Sequence, residues 1–171
     1  MNKSSQKIQQ QKLRTGRQST AFAIQEAVEV GEILKRLREI FDKHHKEIIA
    51  SLENRKILNN DITIRLSGYE LGRINGALRD YVTLRIANIF DSNTSALSLK
   101  NFDEINFDTL KKIPEIKEIL DARDNWIGHI NRRYIGPVNP ELLYSKKVVG
   151  LLKELEFLVC TESIKEKQKK N

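Results

Sequence analysis

The sequence has few of the residues that mark disulfide-bonded, collagen-like or membrane-spanning proteins. Its 171 residues include one cysteine, three prolines and eight glycines. The single Cys160 excludes an internal disulfide framework, and we interpret it as a small buried residue without a functional role. No apolar run reaches the roughly 18 residues that a membrane span requires, and the N-terminus lacks the apolar core of a signal peptide. We therefore expect a cytoplasmic protein with no membrane partner.

The sequence is instead rich in Leu, Ile, Lys and Glu, with 39% hydrophobic and 31% charged residues. This composition favours a soluble helical protein, and the length favours one domain. The net charge of +7 arises at the two ends, since residues 1–18 contribute +5, residues 161–171 contribute +2 and residues 19–160 sum to zero. We predict a basic N-terminal tail over 1–18 that is disordered or forms a frayed helix, a helical bundle over 19–160 and a charged tail over 161–171. The tails either raise affinity for RNA or are simply solvated.

Four long segments have the periodicity of amphipathic helices. Ser19 or Thr20 is the predicted cap of the first, because apolar residues then recur at steps of three and four as far as Leu52. The second is predicted to end near Phe90, and the apolar residues on its predicted buried side are Leu71, Ile74, Leu78, Tyr81, Val82 and Ile89.

Three glycines four residues apart mark the start of this second helix. Gly68, Gly72 and Gly76 share one helix face. Since each glycine costs roughly 1 kcal/mol in a helix interior, the stripe indicates a tight helix crossing, within the bundle or between subunits. A loosely formed first two turns explains the stripe equally well.

The second half of the chain is predicted to hold a linker and two further helices. A short helix or turn is expected near residues 98–105, with Asp108 or Thr109 as the cap of the next helix. Pro114 fits the first turn of that helix, which is predicted to extend to residue 131, and Asn139 caps the last one. The prediction is an all-α, antiparallel bundle of four principal helices plus a short linker helix, with no strands.

The stretch over residues 119–134 is the most polar part of any predicted helix. Arg123 stands on its apolar stripe, where an aliphatic residue is expected, and a buried cation requires an acid, a phosphate or a water-filled cleft. Pairing with Asp80, Asp121 or Asp124 in a structural network is one possibility. His129 is a side-chain type that titrates near neutrality, although a histidine satisfied between helices has the same sequence signature.

Arg123 and His129 do not share a face of a regular helix. Six residues advance roughly 9 Å and turn through about 600 degrees, which leaves the two side chains about 120 degrees apart. Either the helix is distorted near Gly128, or a second copy of the chain supplies the missing partner across a symmetric interface.

The motif Arg123-Asp-Asn-Trp-Ile-Gly-His129 resembles that of the HEPN superfamily, which has an Arg, a polar residue and a His after five intervening positions. The motif is similar to that of the abortive-infection group of phage-defence proteins, which reads approximately Arg-Asp-Lys-x-x-Ala-His. The helix over residues 77–91 and the linker Ser95-Ala-Leu-Ser-Leu-Lys also resemble this group. The resemblance covers about residues 20–160.

This resemblance implies a homodimer with a composite, metal-independent endoribonuclease site and no cofactor, in a phage-defence or toxin system. The ribose 2′-hydroxyl would attack phosphorus, with His129 as general acid or base and Arg123 stabilising the phosphoryl charge. Asp124 is expected to orient Arg123. The residues expected to contact RNA are Asn125, Asn131, Arg132, Arg133 and Tyr134. An antitoxin or defence partner protein is a further expectation, and a non-catalytic sensor or scaffold is the alternative function.

Overall fold

The computed structural model describes residues 3–43, 68–93, 98–127 and 137–168. Within these ranges the chain is helical and contains no strand, which confirms the predicted all-α class. In chain order the elements are α1 (Lys3–Lys43), α2 (Gly68–Ile89), a 3₁₀ helix (Leu99–Asn101), α3 (Phe107–Leu110), α4 (Pro114–Ala122), a π-helical turn (Arg123–Ile127), α5 (Pro140–Leu143) and α6 (Lys146–Gln168).

The core lies where α1 packs along both α2 and α6, and where α4 packs on α2. Fully burying each large aliphatic side chain contributes roughly 1.5–3 kcal/mol before entropy is counted, so this shared core fixes the bundle. The largest fully buried side chains are Phe90, Ile24, Leu34, Leu71, Ile86, Ile89, Leu99, Ile116, Ile119, Leu143 and Leu152. Among the described helices, none is both long and apolar enough to cross a membrane.

Polar contacts tie α1 to α2 and to the segment that follows α2. Arg17, near the N-terminal half of α1, forms a salt bridge with Glu104 and lies over the Phe102 ring at 4.8 Å. Further along α1, Glu26 accepts a hydrogen bond from the Tyr81 hydroxyl at 2.5 Å and pairs with Arg85 at 2.8 Å. Arg17 thus lies beside the segment after α2, and Glu26, further along α1, lies beside α2 itself. This order of contacts is that of an antiparallel pair.

The predicted start of the first helix at Ser19 or Thr20 is wrong, because α1 already begins at Lys3. Residues 3–18 carry little apolar surface of their own, but Arg17 is only 5% exposed and is held by tertiary contacts. Packing of this kind stabilises a helix that local sequence does not support. The predicted continuation of this helix to Leu52 lies outside the described residues.

Several predicted burial assignments also need correction. Ile74 is 39% exposed, although it was predicted to lie on the buried side of the second helix. Cys160 is exposed, not buried. A side chain added at Gly72 would meet nothing within 4 Å, so this glycine does not serve a tight crossing among the described helices.

The helix boundaries that flank the polar stretch follow the predicted capping residues in part. Pro114 lies in the first turn of α4, as predicted. Asn139 does cap a helix, since its side chain accepts a hydrogen bond from the backbone N–H of Glu141, but that helix is the short α5 and not the last helix, which begins at Lys146. Asp108 and Thr109 are not caps. Instead the Asn106 side chain caps α3 by accepting from the backbone N–H of Thr109.

Candidate functional site

Arg123 follows α4 directly and begins the π-helical turn. Ile116, Ile119 and Ala122 anchor α4 in the core, with exposed fractions of 0%, 0% and 1%. Because they fix the orientation of the helix, the Arg123 side chain leaves it toward the end of α2. The side chain is 21% exposed, so its guanidinium lies at the rim of the core and not within it.

Two carboxylates from different parts of the chain hold the Arg123 guanidinium. Arg123 Nη1 donates to Asp91 Oδ2 at 2.8 Å, and Arg123 Nε donates to Asp124 Oδ1 at 2.7 Å. The hydrogen bond from Arg123 to Asp124 is the main cause that raises the pKa of Arg123, while partial burial opposes it. The guanidinium therefore stays charged and is held on two of its edges.

The Asp91 carboxylate is itself positioned by the turn that ends α2. Its Oδ1 accepts a hydrogen bond from the backbone N–H of Asn93 at 2.8 Å, which is the local turn geometry typical of aspartate. The hydroxyl of Ser98 donates to the Asp91 carbonyl at 2.5 Å and brings the linker back to the same point. Asp91 thus fixes where Arg123 lies relative to α2 and to the linker.

The helix changes geometry at the motif. Residues Arg123–Ile127 form a π-helical turn, a form that is rare and occurs most often as single turns, frequently at functional sites. The Asn125 side chain donates to the carbonyl of Asp121 at 2.8 Å and so supports the chain at this turn. To bring Arg123 and His129 together, the sequence required either a distorted helix near Gly128 or a second copy of the chain. The π-helical turn is such a distortion, and it begins at Arg123, before Gly128.

An open cleft of about 680 Å³ lies in front of Arg123. One wall is a face of α4 and its extension, formed by Lys117, Leu120, Asp121 and Asp124. The other wall is formed by the end of α2 and the approach to α4. Lysines supply most of the positive charge that lines the cleft. The residues on that second side are Asp91, Ser92, Lys111 and Lys112.

The predicted site residues divide between those whose positions are described and those that are not. Arg123, Asp124 and Asn125 lie together at the π-helical turn, with Asp124 in contact with Arg123. His129, Asn131, Arg132, Arg133 and Tyr134 lie outside the described residues. Their predicted roles stay predictions.

Residues from the end of α2 and the linker were not identified from the sequence as part of this site. Asp91 lies 32 residues from Arg123, and sequence alone does not show which of the chain's acids an arginine meets. The sequence signal that could have pointed to Asp91 is the run of turn-forming residues after Phe90. A residue at the end of one helix can lie beside a side chain of another helix, as Asp91 does beside Arg123. Asp80, a predicted candidate partner, pairs with Arg79 at 2.7 Å instead.

The fold and this site define an all-α bundle with a charged cleft beside a π-helical turn. Within the described ranges, no three histidine, cysteine, aspartate or glutamate side chains are grouped so that they could hold a metal ion. No protein-family model, curated protein or solved structure matches the chain.

Proposed function

We propose that the chain is a metal-independent endoribonuclease of a phage-defence or toxin system. The observation that carries the proposal is Arg123, a permanently charged guanidinium that is held by Asp91 and Asp124 at the rim of an open cleft. An arginine in this setting can bind a phosphate with its remaining N–H donors while the carboxylates fix its orientation. The resemblance of its motif to the HEPN superfamily supplies the reaction class.

The proposed reaction is transesterification of RNA. The ribose 2′-oxygen attacks the adjacent phosphorus and the bond from phosphorus to the 5′-oxygen breaks, which leaves a 2′,3′-cyclic phosphate and a free 5′-hydroxyl. His129 accepts the proton of the 2′-hydroxyl or donates one to the leaving oxygen. Arg123 stabilises the negative charge that grows on the phosphoryl oxygens. Asp124 acts through Arg123 as a positioning residue.

The proposed functional unit is a homodimer in which two motif helices share one cleft. The resemblance of the motif to the HEPN superfamily supports this arrangement. The angular separation on a regular helix does not, since the π-helical turn over Arg123–Ile127 supplies the distortion that was the alternative to a second copy. An antitoxin or a second defence protein would then regulate the dimer. We place the enzyme in the cytoplasm, where its RNA substrate lies.

Cleavage of RNA in the presence of EDTA tests the proposal. The purified chain is expected to cut a single-stranded RNA and to leave the DNA oligonucleotide of the same sequence intact, since DNA lacks the 2′-hydroxyl. His129→Ala should lower the rate by roughly 10²–10⁴-fold. Equal cleavage by the wild type and by the His129→Ala variant would show that the activity belongs to a contaminant.

The same contacts also favour a second candidate, a non-catalytic sensor or scaffold. Arg123 makes ion pairs to residues of the α2 region and of its own helix, which is how a structural arginine is held. In that case Arg123→Ala would weaken dimerisation or folding without changing any RNA cleavage. Sedimentation velocity and thermal melting of this variant, measured beside the cleavage assay, separate the two functions.

A further inference from the structure

The lysines around the cleft form a cluster that the proposed chemistry does not use. Lys111, Lys112 and Lys117 line the cleft together with Arg123. Lys100 reaches the same place, since its Nζ donates to the Ser92 carbonyl at 3.0 Å. We call Lys100, Lys111, Lys112 and Lys117 the lysine track.

Two ammonium groups of the track are held by neutral partners. Lys111 Nζ donates to the Ser92 hydroxyl at 2.5 Å and lies 5.5 Å from the centre of the Phe107 ring. Lys100 Nζ donates to the carbonyl of the same serine. A hydroxyl, a carbonyl and an aromatic face orient an ammonium group but carry no negative charge to neutralise it. These partners therefore bring two positive charges to one point on the rim without offsetting them.

The carboxylates of the cleft are largely committed to other partners. Asp91 uses one oxygen for Arg123 and the other for the backbone of Asn93, and Asp124 is bound to Arg123. With Lys100 included, five cations stand against three carboxylates among the residues that line the cleft, the third carboxylate being Asp121. The cleft thus carries a positive field although residues 19–160 as a whole are neutral.

We propose that the lysine track holds the sugar-phosphate backbone of single-stranded RNA and leads one phosphate to Arg123. The inference rests on the proposed ribonuclease function for the choice of RNA, and it names the path by which that substrate reaches the site. Lys112 and Lys117 are exposed and have room for a phosphate, while Lys111 and Lys100 are pre-oriented at Ser92. Lysines bind successive phosphates without reading bases, so the track supplies affinity and direction, not sequence specificity.

The test measures binding separately from cleavage. A fluorescent RNA with 2′-O-methyl groups at every position cannot be cut by its own ribose, and its affinity is followed by anisotropy between about 50 and 200 mM salt. The double variant Lys112→Gln/Lys117→Gln is compared with Lys146→Gln/Lys153→Gln, which removes the same charge from exposed positions on α6. All four positions are exposed, and circular dichroism checks that both proteins keep the helical content of the wild type.

The track variant should bind more weakly, and the slope of log affinity against log salt should fall by about 1.4, or about 0.7 for each phosphate that is no longer neutralised. The α6 variant should keep the wild-type slope. Equal slopes for the track variant and the wild type would overturn the inference, and so would equal decreases in the two variants. A preference of the wild type for duplex DNA over this RNA would also overturn it.

The outcome is independent of whether the chain cleaves RNA. If the unmodified RNA is not cut but the track variant alone loses salt-dependent binding, the ribonuclease proposal fails and the track stands as an RNA-binding site. If the RNA is cut while the track variant binds like the wild type, the ribonuclease proposal stands and the track fails.

Discussion

Two arginines of this chain pair with carboxylates in different settings, and the difference separates a structural ion pair from a candidate functional one. The Arg17 side chain is 6% exposed, lies against the Phe102 ring and joins α1 to Glu104 in the linker. The Arg123 side chain is 21% exposed, is bound to Asp91 and Asp124, and faces an open cleft. Both are held by ion pairs, but Arg123 lines an open cleft whereas the Arg17 side chain is almost fully buried.

One of the two carboxylate partners of Arg123 is more exposed than the partner of Arg17. The Glu104 side chain is 30% exposed, close to the 31% of Asp91, whereas Asp124 is 59% exposed. Solvent screens the pair with Asp124 and the Arg123 side chain is less buried than that of Arg17, so removal of Arg123 should cost less stability than removal of Arg17. Removal of the buried Arg17 leaves a partly buried carboxylate and an empty site on α1, which is destabilising. The comparison therefore predicts that one arginine matters for folding and the other for chemistry.

The largest effect on stability is expected from Arg17→Ala. This variant removes the Glu104 ion pair and the packing against the Phe102 ring, and we expect a decrease of about 2–3 kcal/mol in the free energy of unfolding. Urea denaturation followed by circular dichroism measures it, with Lys12→Ala on the exposed side of α1 as the control. A decrease no greater than that of the control would remove the distinction between the two arginines.

A smaller effect, on activity, is expected from Asp91→Asn. Asparagine has an NH₂ donor in place of one carboxylate oxygen, so it cannot reproduce the contacts that Asp91 makes through separate oxygens to Asn93 and Arg123. We expect the cleavage rate to fall about tenfold, equivalent to about 1.4 kcal/mol in the barrier, while the melting temperature changes little. Asp108→Asn, at an exposed position on α3, is the matched control. A rate equal to the control would show that Asp91 does not position Arg123.

The pH dependence of folding should report the Arg17 pair at acid pH. Burial alone raises the pKa of Glu104, but the hydrogen bond from Arg17 and its charge outweigh burial, and the folded-state pKa lies below the ordinary value. The contribution of Glu104 to stability is therefore fully present above the ordinary pKa of about 4.3 and is lost as pH falls through the folded-state value. The Glu104→Gln variant should show a flatter decrease of stability below that pH in urea titrations. An unchanged acid limb would contradict this assignment.

The smallest effect is expected from Lys147→Gln, which breaks an ion pair at the surface. Lys147 Nζ donates to Glu115 at 2.7 Å, but the lysine side chain is 63% exposed. The hydrogen bond from Lys147 lowers the pKa of Glu115, yet solvent screens the pair, so no resolvable change in the denaturation midpoint is expected. A clear destabilisation here would mean that exposure is a poor guide to the energies of these ion pairs.

The sequence predicted those parts of the fold that depend on local pattern. Apolar periodicity identified α2 and α6, and Pro114 marked the start of α4. The cap at Asn139 starts the short α5 and not, as was predicted, the last helix. The start of α1 was missed because the predicted cap at Ser19 or Thr20 lies inside a helix in which Arg17 and Thr20 are buried by tertiary packing, which no local propensity shows. The rule that a buried cation needs a partner correctly required an acid or a cleft at Arg123, and the molecule provides both.

The choice of partner for Arg123 could not be predicted. Asp80, Asp121 and Asp124 were the sequence candidates, and Asp124 does bind Arg123, but the second carboxylate comes from Asp91. Which acid approaches depends on where α2 ends and how the linker returns through Ser98, and both are set by packing. The lysine track depends on the same return of the chain, since Lys100 in the linker and Lys111 before α4 both reach Ser92 at the end of α2.

The central claim is that Arg123 acts on a phosphate while Arg17 only holds the fold. The most direct measurement is the rate of RNA cleavage in EDTA by Arg123→Ala, at a temperature where circular dichroism shows the variant folded. We predict a folded protein whose rate is reduced by about 10²–10³-fold, the usual effect of removing one group that stabilises transition-state charge. A folded Arg123→Ala variant that cleaves RNA at the wild-type rate would contradict the account.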